Sequence, residues 1–251
     1  MKQIEFYVES TLDGTSQPSL FFPVEAKEKR PLMVGLHTWS CERHNQVPKL
    51  LPLAEKLGFN LLLPEFRGPN LKTNPKPAEA CGSELAKRDI LDAIDYVLSR
   101  YEVDSENIFL VGGSGGGHMA LLMAGYAPER FKAIVSVVPI TNLVDWKDQN
   151  ANYTEHILAC TGGEEAEMLM RSPISYVDEI ARANLKIFHG KWDKSVPVSH
   201  SIGFYNELIA RHPTASVYLD VFDGGHEMCI EAVELFISKQ YKRPVNENLT
   251  G

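Results

Sequence analysis

Apolar and polar residues alternate over 4–9 and again over 20–25, with the Asp13-Gly14 turn pair between them. This predicts two antiparallel strands at the start of the chain. From residue 31 the pattern changes. Pro31-Leu32-Met33-Val34-Gly35-Leu36-His37 and the runs at 60–63, 108–111, 133–138, 185–189 and 217–222 are almost continuously apolar, as strands covered on both faces require. Helical spacing occupies the stretches between them. It is predicted over 47–57, 173–181, 197–210 and 227–239, and is clearest for Leu85, Ile90, Ile94, Val97, Leu98 and Tyr101. Strands that alternate with helices imply right-handed crossovers and a mostly parallel sheet with helices on both faces. Residues 64–77, rich in Pro, Asn and Lys, read as a loop. Residues 141–172 are polar and irregular, with at most short helices expected, and read as an insertion beside the site. No repeat or linker divides the chain, so 1–251 is expected to be one α/β domain.

Composition narrows the choice of partners. A formal charge of -8 with no basic stripe argues against nucleic acid. No apolar stretch reaches the length of a membrane span, and the first residues alternate like a strand instead of a signal peptide. A cytoplasmic protein with a small-molecule partner is therefore the expectation, with its oligomeric state left open. Cys41, Cys81, Cys160 and Cys229 lie far apart, without the short paired spacings of a zinc site. They read as buried thiols, with a Cys41–Cys81 bond as the alternative.

The chemistry centres on Gly112-Gly113-Ser114-Gly115-Gly116. An apolar strand runs into it, and Met119, Leu122, Met123 and Tyr126 follow at helical spacing, so Ser114 falls on a tight strand-to-helix turn. Glycines at 112 and 116 leave room for the turn to close. A phosphate-binding loop is the competing reading, but no Lys follows as that loop needs. A serine hydroxyl is a weak nucleophile and needs a base and a group that orients the base. Asp193 just past the strand at 185–189 and His226 just past the strand at 217–222 supply both, in the order Ser, Asp, His that such elbows use. His118, His189, Asp145 and Asp223 are weaker competitors, and Cys41 with His44 is poor evidence for a metal. Neither a metal nor a cofactor is expected. Backbone N–H groups of Gly115 and of Trp39, in the loop after the first core strand, are the expected oxyanion donors. Thr38 stands where such loops usually carry Gly. Trp39, Trp146 and Trp192 are candidates to line an acyl or sugar pocket, and Arg67 to meet a substrate carboxylate.

Together these residues resemble the catalytic domain of the prolyl oligopeptidase family, within the α/β-hydrolase superfamily. The resemblance rests on Phe66-Arg67-Gly68, on Asp89, Asp92 and Asp95 along the long helix, on the Gly-Gly-Ser elbow and on Pro128-Glu129-Arg130-Phe131. It continues through Arg171-Ser172-Pro173, His189-Gly190 with Asp193 and Val196-Pro197, and Gly225-His226. It implies an α/β-hydrolase fold, a Ser114–Asp193–His226 triad and no metal. Members that are peptidases usually carry Tyr directly after the serine, and this chain has Gly115. They also carry a large β-propeller, for which the residues before position 31 are too few. The chain is in these respects more similar to the small esterases grouped with the family, which implies an ester hydrolase, with acetyl or feruloyl carbohydrate esters as candidate substrates and a short-peptide peptidase as the alternative. A third reading is a catalytically silent fold used for binding.

Overall fold

The computed structural model describes residues 1–241. Its eight strands are β1 (Ile4–Glu9), β2 (Ser16–Phe22), β3 (Arg30–Leu36), β4 (Asn60–Pro64), β5 (Val103–Gly113), β6 (Ala133–Val137), β7 (Leu185–Gly190) and β8 (Val217–Phe222). The helices are α1 (Val47–Leu57), α2 (Glu84–Arg100), α3 (Gly115–Tyr126), α4 (Leu143–Gln149), α5 (Ala151–Thr161), α6 (Glu165–Met170), α7 (Val177–Ile180), α8 (Ser199–Arg211) and α9 (Ile230–Gln240). The strands form one sheet in the order β1-β2-β4-β3-β5-β6-β7-β8. β2 pairs antiparallel with β1 and with β4, and every later pairing is parallel.

Alternation along the strands builds two cores. Leu32, Val34 and Leu36 of β3 point to the face covered by α2, α3, α7 and α8, where they meet Leu110, Ile90, Leu121 and Phe204. Met33 points the other way, with Phe109, Val111 and Val135, towards Leu50 of α1 and Val233 and Ile237 of α9. Burial on both sides explains why the central strands read as apolar runs.

The structure departs from the sequence expectations in three places. β2 begins earlier than expected and ends before Pro23, whose missing N–H cannot continue the ladder. β5 extends back to Val103 because Arg30 pairs with it across a register shift. The segment expected to be irregular between 141 and 172 instead forms α4, α5 and α6. Their apolar residues Leu143, Trp146, Ile157, Cys160 and Met168 close a third core around Trp39. α4 and α6 are only 7 and 6 residues long, too short to show a periodic stripe, and α5 buries only Ile157, Cys160 and Thr161, so the pattern is hidden until Trp39 gives those residues something to bury against.

Candidate active site

Ser114 occupies the turn between β5 and α3 with φ 57° and ψ -121°, a left-handed conformation that a non-glycine residue keeps only when its surroundings hold it there. Ser114 N–H donates to Val137 O at 2.9 Å and Ser114 O accepts from His118 N–H at 2.9 Å. Glycine is required around it. A Cβ at position 112 would lie 2.1 Å from Gly116 O, and one at position 116 would lie 2.4 Å from Leu36 O. The turn therefore closes directly onto the neighbouring backbone.

The ends of β7 and β8 bring two further side chains to the hydroxyl. Lys191 N–H donates to Phe222 O and Trp192 N–H to Gly224 O, both at 2.9 Å, so the two loops are bonded together beyond the sheet. His226 Nδ1 is 2.7 Å from Asp193 Oδ2 and its Nε2 is 2.8 Å from Ser114 Oγ. An ionised carboxylate only accepts, so Nδ1 carries the ring hydrogen and Nε2 is free to accept from the serine hydroxyl. Asp193 Oδ1 accepts from the N–H groups of Ser195 at 2.8 Å and Val196 at 2.9 Å. Burial pushes the Asp193 carboxyl up, but hydrogen bonds from His189, His226 and the Val196 N–H outweigh it and hold the group well below the usual carboxylate range. It stays ionised at any pH where the imidazole works.

On the other side of Ser114, the loop after β3 approaches the first residue of α3. A Cβ on Gly115 would lie 2.4 Å from Trp39 N, so the two expected oxyanion donors sit on touching backbones. Thr38 N–H is directed to Asn45 Oδ1 at 3.3 Å and so is turned away from Gly115. His37 braces this loop. Its ring stacks on Phe66 with centroids 3.9 Å apart, and its two nitrogens lie 2.9 Å from Thr38 O and 2.6 Å from Glu65 O.

Ser114 and His226 open into a cavity of about 310 Å³. Thr38, Trp39, Val138, Tyr153 and Met228 line it, with Lys49 and Glu227 as its charged residues. Of the side chains expected from sequence to contact substrate, Trp39 lines this cavity, whereas Trp146, Trp192 and Arg67 do not and each has a structural partner instead. Trp146 is 1% exposed, and its indole N–H donates to Ser195 O at 2.9 Å, bracing the Asp193 loop. Trp192 is exposed and donates to Asp223 Oδ1 at 2.7 Å. Arg67 is buried among Asp13, Glu79 and Asp89. Three carboxylates saturate that guanidinium.

The competing residues are also accounted for. His118 is buried with Nε2 2.7 Å from Arg171 O, and burial lowers its pKa to about 4. Asp145 accepts from Asn142. Cys41 lines the cavity and the four cysteines are unbonded, so no Cys41–Cys81 bridge forms. His44 pairs with Glu42. Among the described residues no cluster of three or more His, Cys, Asp or Glu side chains is arranged to hold a metal ion, and no helix is long and apolar enough to cross a membrane. Sequence reasoning did not single out Val138, Tyr153 or Met228. Val138 has φ 45°, an uncommon angle for a β-branched residue, and no sequence signal announces it. Met228, two positions past His226, was open to discovery by its place on the same loop.

Residues 83–242 match the model of the prolyl oligopeptidase family. Among curated relatives, the acylamino-acid-releasing enzyme of Mus musculus is 28% identical over 171 residues, covering 62% of this chain and 23% of the relative. Acylamino-acid-releasing enzyme 1 of Oryza sativa subsp. japonica is 25% identical over 221 residues, covering 78% and 28%. The chain thus spans about a quarter of the length of the curated relatives it matches. Among solved structures, an acylaminoacyl peptidase in complex with Z-Gly-Gly-Phe-chloromethyl ketone superposes with a TM-score of 0.74 at 20% identity, over 98% of this chain and 43% of the other. A Mycobacterium tuberculosis puromycin-hydrolyzing peptidase gives 0.75 at 18% identity, over 95% and 39%. These likenesses establish the α/β-hydrolase fold.

Proposed function

The chain belongs to the prolyl oligopeptidase family and is a serine hydrolase, and from that premise we propose that it cleaves short acylated peptides at an amide bond through an acyl-enzyme on Ser114. The observation that carries the acyl-enzyme chemistry is the continuous chain Ser114 Oγ–His226 Nε2, His226 Nδ1–Asp193 Oδ2 at 2.8 and 2.7 Å. Ser114 Oγ attacks the carbonyl carbon while His226 Nε2 takes its proton. The oxyanion that forms is met by the Trp39 and Gly115 N–H groups. The imidazolium, steadied by Asp193, returns the proton to the leaving amine, and a water then repeats the sequence on the acyl-enzyme.

The ester expectation from sequence gives way here, because the named activities of the relatives are peptidase activities. Nothing among the cavity residues favours a sugar ester over a peptide. One catalytic unit over 1–251, bordered by the 141–172 segment through Tyr153, belongs to the same proposal. So does a cytoplasmic location, for which four unbonded cysteines are the support. The discriminating assay compares kcat/KM for an N-acetyl-aminoacyl amide with that for acetylated and feruloylated sugars. Higher turnover of the amide is expected. Hydrolysis of the sugar esters without cleavage of the amide overturns the peptide reading. Failure of Ser114 to react with a fluorophosphonate overturns the catalytic reading altogether.

A further inference from the structure

Asp193 Oδ2 faces two imidazoles. One belongs to His226. The other belongs to His189, whose Nε2 lies 3.4 Å from the same oxygen. His189 is fully buried at the end of β7 and does not line the cavity. Its hydrogen positions follow from its partners. Nε2 is 2.9 Å from Val196 O, a carbonyl that only accepts, so Nε2 carries the ring hydrogen. Nδ1 is then the acceptor, 2.7 Å from the hydroxyl of Ser201, itself fully buried on α8. Ser201 thus fixes the ring so that its one N–H lies between Val196 O and Asp193 Oδ2.

We propose that His189 is a positioning residue for the triad, holding the Asp193 carboxylate through the oxygen that also receives His226, with Ser201 setting its tautomer. This rests on the triad reading above but is independent of whether the substrate is an amide or an ester. Asp193 then has three close donors, the N–H groups of Ser195 and Val196 on Oδ1 and of His226 on Oδ2, and the His189 N–H, bonded to Val196 O, stands 3.4 Å from Oδ2 as a longer fourth. The remaining titratable neighbour is His200 on α8. It is buried with Nε2 2.9 Å from Gln149 Oε1, and burial, then the neighbouring His189, keeps it neutral. Lys191 and Lys194 of the same loop are exposed.

Removing the His189 N–H takes away the second positive dipole facing Oδ2 and leaves this buried oxygen with His226 alone. The carboxylate, still ionised, then draws harder on the His226 ring hydrogen. This shifts the productive state, ionised Asp193 with neutral His226, to higher pH. A residue that only packs would lower activity equally at every pH.

The test uses His189→Leu, His189→Gln and Ser201→Ala with p-nitrophenyl acetate and a fluorophosphonate probe from pH 5 to 9. Both probes report on Ser114 alone. For His189→Leu the acid limb of kcat/KM is expected to move up by about one pH unit. Its kcat is expected to fall about 10–100-fold, the usual range for partners that orient a working imidazole, with KM little changed. His189→Gln, whose amide N–H can replace Nε2–H, is expected to recover most of the loss, and Ser201→Ala to fall between the two. A His189→Leu enzyme with native circular dichroism and an unmoved acid limb overturns the proposal, as does a Gln variant no better than Leu. If His189→Leu does not fold, an unmoved limb in Ser201→Ala overturns it instead. A wild-type Ser114 that reacts with neither probe overturns the triad reading, and this inference with it.

Discussion

Ser114 and His226 meet at 2.8 Å, yet the backbones that carry them are built in different ways. The serine sits at the end of a central strand, between β3 and β6, on a turn where added atoms collide with main-chain oxygens. The histidine sits on a loop after β8, at the edge of the sheet, with its imidazole 28% exposed and open space around Gly225. Main-chain atoms crowd the serine's turn on every side, whereas the histidine's loop is tied on one side, by main-chain bonds from Lys191 and Trp192 and by the bond to Asp193, and is open on the other at Gly225. The contrast places the tightest packing under the proposed attacking atom and the solvent-facing side beside the proposed proton carrier.

Substitutions that remove the chemistry test both ends at once and should have the largest effects. Ser114→Ala is expected to lower kcat by about 10⁶, and Asp193→Asn by about 10⁴ through the wrong imidazole tautomer, both read by steady-state kinetics on folded protein. A smaller loss from Asp193→Asn than from Ser114→Ala is the informative result, because it separates orienting the base from being the nucleophile.

The rigidity claim is tested next. Gly116→Ala sets a Cβ 2.4 Å from Leu36 O, and denaturant unfolding is expected to show a loss of about 1–3 kcal/mol. Displacing the elbow by as little as ~1 Å costs about 10²-fold in rate, so activity should fall as well. Wild-type behaviour in this variant would break the contrast.

Acid acts on both regions. His118 in the elbow helix and His200 beside the Asp193 loop are buried, and burial lowers each pKa to about 4, against about 6.5 when unfolded. Between those values the unfolded chain binds more protons, so stability falls as pH drops from 6.5 towards 4, by on the order of 2 kcal/mol for each histidine at pH 5. Urea midpoints at pH 7 and pH 5 measure this. His118→Gln should flatten the dependence by about half, and an unchanged slope would count against a neutral, buried His118.

The smallest effect expected is at Gly225, where a Cβ meets nothing within 4 Å. Gly225→Ala should change stability by less than about 0.5 kcal/mol. A loss as large as that of Gly116→Ala would mean that the histidine loop is held as tightly as the elbow.

The meeting of Ser114, Asp193 and His226 is legible in the sequence because each follows a short apolar strand, and parallel strands deliver their C-terminal ends to one edge. The strand pattern is legible for the same reason. The substrate wall is not. Trp146 and Arg67 look like recognition residues by type, but an indole N–H bonded to Ser195 O, 49 positions away, and a guanidinium bonded to Asp13, 54 positions away, are long-range facts. α4, α5 and α6 escape for a related reason: their apolar residues serve a tryptophan more than a hundred positions earlier. His189 shows a third limit, since its reach to Asp193 depends on a loop that doubles back within four residues.

The sheet order carries a consequence for synthesis. Beyond β5 the strands are laid down in the order of the chain, β6, then β7, then β8. A growing polypeptide therefore presents residue 114 well before the proton acceptor of the proposed mechanism, which follows the last strand. On that mechanism the nascent chain carries an ordinary alcohol until residue 226 has been translated and docked, so reactivity waits for the sheet to be finished.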